Sequence, residues 1–104
     1  MKQIIEGRRY NTETAEEVAR YHNGCGTTDF NYIFETLYRT KKGNFFLHGE
    51  GGAATTYARH VGNGNRTGSE KIIPLSDDET VEWLESHGHT DAIEQYFPDY
   101  VEDA

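Results

Sequence analysis

Cysteine is nearly absent from this 104-residue chain. The single thiol, Cys25, excludes an intrachain disulfide and any zinc cluster built from several thiolates of one chain. Apolar runs are short as well: none nears the roughly 18 residues of a membrane span, and the opening Met-Lys-Gln-Ile-Ile-Glu has no signal-peptide core. The expectation is a soluble cytoplasmic protein that meets no membrane. Apolar residues make up only 35% of the chain and mean hydropathy is -0.84, which bounds the core to a thin one. Aromatic residues reach 12%, enough buried area per residue to exclude a disordered chain. One domain, residues 1–104, follows.

Positive charge is missing from one end altogether. From Ser76 to Ala104 there are ten acids (Asp77, Asp78, Glu79, Glu82, Glu85, Asp91, Glu94, Asp99, Glu102, Asp103) and no Lys or Arg. The net charge of -8 therefore hides a near-neutral stretch followed by an acidic quarter, 76–104. Such an end repels nucleic acid and suits a basic protein surface, so no direct nucleic-acid partner is expected.

What the chain does contain is organised around Glu35–Gly52. Thr-, Leu-, Tyr- and Phe-rich runs flank Lys41-Lys42-Gly43, and a three-residue hairpin loop favours Gly at its last, positive-φ position. That loop sets Tyr38 opposite Phe46, Leu37 opposite Leu47 and Thr36 opposite His48. The strand before it is expected over Asp29–Thr40, with Phe30, Tyr32, Phe34 and Tyr38 on one face and Ile33 and Leu37 on the other. Its bulk on both faces places it centrally. A small hairpin turning at Glu6-Gly7 is expected at the N-terminus. N-cap residues over Asn11–Thr14, then Ala15, Val18, Ala19 and His22 at helical spacing, predict a helix ending at Asn23-Gly24. Ala54, Tyr57, Ala58 and Val61 predict a second, and Gly62–Gly68 reads as a surface tip. Glu70–Leu75 is a strand that Pro74 confines to an edge or to its own end. Ser76 with Glu79 forms a capping box for a helix carrying Val81, Trp83 and Leu84, which Gly88 ends. Thr90 caps a last helix with Ile93, Tyr96, Phe97, Tyr100 and Val101 on one face, interrupted at Pro98. The fold class is α+β: an antiparallel sheet of three or four strands centred on a β-hairpin and covered by three or four short helices.

Three stretches carry candidate chemistry. His48-Gly49-Glu50, with His60 and Glu35, supplies imidazole and carboxylate for acid–base work or for a metal. Zinc deaminases use a His-x-Glu pair but also need Pro-Cys-x-x-Cys, which one cysteine cannot provide, so that version is excluded and no metal or cofactor is implied. Gly51 and Gly52 precede a predicted helix and offer backbone N–H groups to a phosphate, without a Walker lysine or a Gly-x-Gly-x-x-Gly spacing. More simply, these glycines let the chain turn sharply and pack close. The third is the acidic surface Asp77, Asp78, Glu79, Glu82, Glu85, Asp91 and Glu94, suited to a site that a basic protein builds for nucleic-acid phosphates.

Gly7–Ala15, Glu35–Leu47, His48-Gly49-Glu50-Gly51-Gly52-Ala53 and Gly68–Leu75 together resemble a family of small acidic proteins of phages and integrative conjugative elements of Gram-positive bacteria. The resemblance runs from Gly7 to about Trp83. Some proteins of such elements, including modules that look like this one, are anti-CRISPR inhibitors of type II effector nucleases. The resemblance therefore implies a non-enzymatic inhibitor whose partner is a host defence nuclease or another basic nucleic-acid-binding protein. Two other readings stand beside it. One is a small nucleic-acid- or nucleotide-acting enzyme using His48, Glu50 and His60. The other is an accessory module that forms homo-oligomers through a strand edge or its Tyr96-Phe97 face.

Overall fold

A computed structural model describes residues 1–104. Its centre is the expected hairpin. Strands β4 (Ile33–Arg39) and β5 (Phe45–Gly51) pair antiparallel with Tyr38 against Phe46, Leu37 against Leu47 and Thr36 against His48. Thr40 and Asn44 close the loop through a backbone bond of 2.8 Å, and Gly43 takes φ +87°. Around this hairpin lies a four-stranded antiparallel sheet of order β3-β4-β5-β8, where β3 is Glu16–His22 and β8 is Ser69–Leu75. Pro74 sits on the edge strand β8, as its missing donor requires.

The β3 assignment overturns the helix expected over residues 12–22. Asn11 and its followers make a single turn: the Glu13 amide donates to Asn11 Oδ1 and the Ala15 amide to the Asn11 carbonyl. Propagation stops there because the next residues pair with β4. A bulge at Val18 explains the misleading periodicity. It breaks the two-residue alternation between Glu17 and Ala19, so Glu17 and Arg20 fall on one face three residues apart, as they would on a helix. They form an ion pair at 2.9 Å.

The expected helix at 53–61 is also absent. Gly52–Thr55 is a turn closed by Thr55 Oγ1 on the Gly52 carbonyl (2.9 Å), and Tyr57 then inserts into the fold, leaving Ala54 without a core to join. Residues 29–32 form an Asx turn rather than the start of a strand, with the Asn31 amide on Asp29 Oδ1 at 2.7 Å, and Phe30 is left exposed. The tip at 62–68 is flanked by a two-residue ladder, β6 (Arg59–His60) with β7 (Arg66–Thr67). The N-terminal hairpin is present as β1 (Lys2–Ile5) and β2 (Arg8–Asn11), turning through positive φ at both Glu6 and Gly7.

Two α-helices, not three or four, cover the sheet: α1 (Asp77–Ser86) and α2 (Thr90–Tyr96), followed by a 3-10 turn at Pro98–Tyr100. Ser76 and Glu79 form the expected capping box, worth about 1 kcal/mol to the helix. Thr90 is the first helical residue, after His89, rather than the cap. No helix is long and apolar enough to cross a membrane.

The sheet separates two cores because successive strand residues point to opposite faces. Under the helices, Leu37, Phe45 and Leu47 meet Val81, Leu84, Ile93 and Phe97. On the other face, Tyr10 of the N-terminal hairpin packs edge-on against Phe46 (5.4 Å between centroids) beside Ile72.

Candidate functional site

The helical layer presents the acidic residues outward. Val81 and Leu84 of α1 are buried against the sheet, which turns Asp78, Glu82 and Glu85, spaced by four and three residues, to one exposed stripe. Asp91 and Glu94 are exposed on α2, which packs against α1. Part of this surface is already engaged. Glu79 accepts from the Ser76 amide at 2.9 Å, and this backbone bond holds its carboxyl below the usual carboxylate range. Asp78 accepts from Tyr100 Oη at 3.0 Å. The carboxylates of Asp77, Glu82, Glu85, Asp91 and Glu94 have neither a hydrogen bond nor an ion pair, since the chain's two ion pairs are Arg20–Glu17 and His48–Glu70. The helices thus carry a set of solvated, unpaired negative charges.

The His48 stretch does not assemble as a site. His48 lies on β5, on the face away from the helices, with Nε2 3.6 Å from Glu70 Oε1 and no hydrogen-bond partner. Glu50 is taken by Tyr32, whose Oη donates to Oε1 at 2.5 Å. That bond, with burial second, pushes the Tyr32 phenol up to about 12. His60 is exposed on β6, paired with Arg66, and no bond joins it to His48 or Glu50. No three His, Cys, Asp or Glu side chains come together as a metal-holding group.

Gly51 and Gly52 serve close packing. A Cβ on Gly51 would stand 2.3 Å from Thr55 Oγ1, and one on Gly52 2.5 Å from the Asp29 and Phe30 carbonyls. Two of the loop's amides are committed within the fold: Gly52 donates to Tyr32 O at 2.9 Å and Ala54 to Phe30 O at 2.8 Å.

Sequence reasoning understated Glu35. It projects from β4 on the helix face and ties three elements together, accepting Tyr57 Oη on Oε2 and Trp83 Nε1 on Oε1 (3.0 Å). Tyr57 is 1% exposed, and burial, followed by the Glu35 bond, drives its phenol far above the ordinary tyrosine value. His87, stacked on Tyr21 at 3.8 Å, is held below the ordinary histidine value by burial. With both oxygens occupied, Glu35 acts as a structural anchor. The signal for it was Gly49: a glycine inside a strand marks a close approach, here the Tyr57 ring.

The Tyr96-Phe97 face is turned inward. Phe97 is buried and Tyr96 packs against Phe45 with its hydroxyl on Glu16. No protein-family profile, curated protein or solved structure matches the chain.

Proposed function

We propose that the protein is a non-enzymatic inhibitor that lays the outer faces of α1 and α2 into the basic nucleic-acid site of a host nucleic-acid-guided nuclease. The observation that carries this reading is the segregation of charge. Glu82, Glu85, Asp91 and Glu94 are exposed, unpaired and free of any Lys or Arg within their 29-residue quarter. Carboxylates arranged in this way offer a phosphate-like potential to a basic channel, speeding encounter and fixing register. The identity of the partner as a CRISPR-type effector rests on the resemblance to small acidic proteins of mobile elements.

The test is capture of a purified type II effector by wild type and by Glu82→Lys/Glu85→Lys/Asp91→Lys, which spares the capping and Tyr100 contacts. Wild-type binding should weaken by about tenfold or more between low and high salt, and the variant should lose it while keeping its melting curve. Binding that ignores both salt and charge reversal overturns the reading.

A further inference from the structure

A cleft lies between the β1–β2 hairpin and the tip of the β4–β5 hairpin. It encloses about 680 Å³, within the roughly 300–1,000 Å³ of ligand sites. Its walls carry Arg8 and Arg9 from one hairpin and Lys41 and Lys42 from the other, and no Asp or Glu lines it. All four cations are exposed, and none forms an ion pair or a side-chain hydrogen bond within the chain. Two turns hold them in place: the positive-φ pair Glu6-Gly7 and the Gly43 loop.

In a chain of net charge -8, four unpaired cations lining one cleft are a local reversal of sign. The acidic helices pack on Phe45, whereas the β1–β2 hairpin packs on Phe46, so Arg8 and Arg9 lie across the sheet from the helices.

We propose that this cleft binds the phosphodiester backbone of a nucleic acid. Two cations on each wall suit the phosphates of a strand running between the hairpin tips, and Thr40, whose Oγ1 accepts from the Asn44 amide, keeps its hydroxyl proton free to donate. Tyr10, the one aromatic ring in the lining, is 6% exposed and offers no stacking platform. Recognition is therefore of backbone charge and not of base sequence. The site stands independently of the acidic face. If both are used, the protein bridges the protein and nucleic-acid parts of a nucleoprotein.

Fluorescence anisotropy with labelled single-stranded DNA and RNA of one sequence, about 20 nucleotides long, tests this. Four phosphate contacts at ~0.7 ions released each give a salt slope near -2.8, so the affinity should fall about 50-fold from about 50 to about 200 mM salt. Arg8→Gln/Arg9→Gln and Lys41→Gln/Lys42→Gln should each halve that slope, to a fall of about 7-fold, with unchanged melting curves. Glu82→Lys/Glu85→Lys should leave the slope as it is, which separates this site from the acidic face. Equal binding of DNA and RNA assigns recognition to the phosphates alone, and a preference for RNA adds a contact to the 2′-hydroxyl. Absence of binding at low salt, or a slope that neither pair changes, overturns the proposal. So does concentration-dependent dimerisation lost in the same variants, which would make the occupant a second copy's acidic helices.

Discussion

Gly49→Ala is the most searching perturbation of this fold because local and tertiary arguments give it opposite signs. A strand glycine replaced by alanine should gain roughly 0.5–1 kcal/mol from reduced chain entropy. Here the added Cβ would lie 2.0 Å from Tyr57 Cζ and 2.1 Å from Oη, so the ring must leave. Expelling a buried aromatic side chain forfeits about 1.5–3 kcal/mol of burial, and the lost bond to Glu35 adds about 1 kcal/mol. The tertiary term wins, and net destabilisation should be about 2.5 kcal/mol. At ~4–8 °C per kcal/mol for a domain of this size, the melting temperature should drop by roughly 10–20 °C. Urea midpoints for Gly49→Ala, Tyr57→Ala and the double variant form the assay. In the Tyr57→Ala background the glycine substitution should cost almost nothing or stabilise. A similar penalty in both backgrounds, or a stabilising single substitution, would refute the account of Gly49 as the seat of Tyr57.

Two further predictions concern the same anchor and the tyrosines. Glu35→Gln can accept from only one of Tyr57 and Trp83 while presenting an amide N–H₂ to the other, and should cost about 1–3 kcal/mol with a shift in Trp83 emission. Tyr32, Tyr38, Tyr57, Tyr96 and Tyr100 are all raised above the ordinary tyrosine value, through bonds to carboxylates or through burial. A raised folded pKa favours the protonated native state. Their contribution is thus complete below pH ~10 and declines as pH rises through the folded values, near 12 for Tyr32. Absorbance titration should show fewer than the seven tyrosines ionising near pH ~10, and the urea midpoint should fall across that window; seven equal titrations would contradict it.

Legibility in the sequence followed the range of the interactions. The β4–β5 register, the Ser76–Glu79 box and the edge position of Pro74 depend on residues within a few positions of one another or on one residue's chemistry, and each could be read directly. The β3 strand could not, because a single bulged residue at Val18 converts strand alternation into helix-like spacing. The 53–61 segment was misread because its conformation is set by a hole in another strand, Gly49, and by a carboxylate 22 residues away, Glu35. Among the candidate sites, the acidic stripe was visible from composition alone. The cleft was not, since Arg8-Arg9 and Lys41-Lys42 are ordinary dipeptides until two hairpins face each other.

The bulge at Val18 and Pro74 also sit on the two outermost strands of the sheet. A bulged, charge-flanked strand on one side and a strand with a missing backbone donor on the other make poor templates for a further strand. Intermolecular β-addition, whether by a peptide ligand or by a growing fibril, is thereby blocked at both rims. Concentrated solutions should resist ordered aggregation, and recognition is left to side chains on the faces.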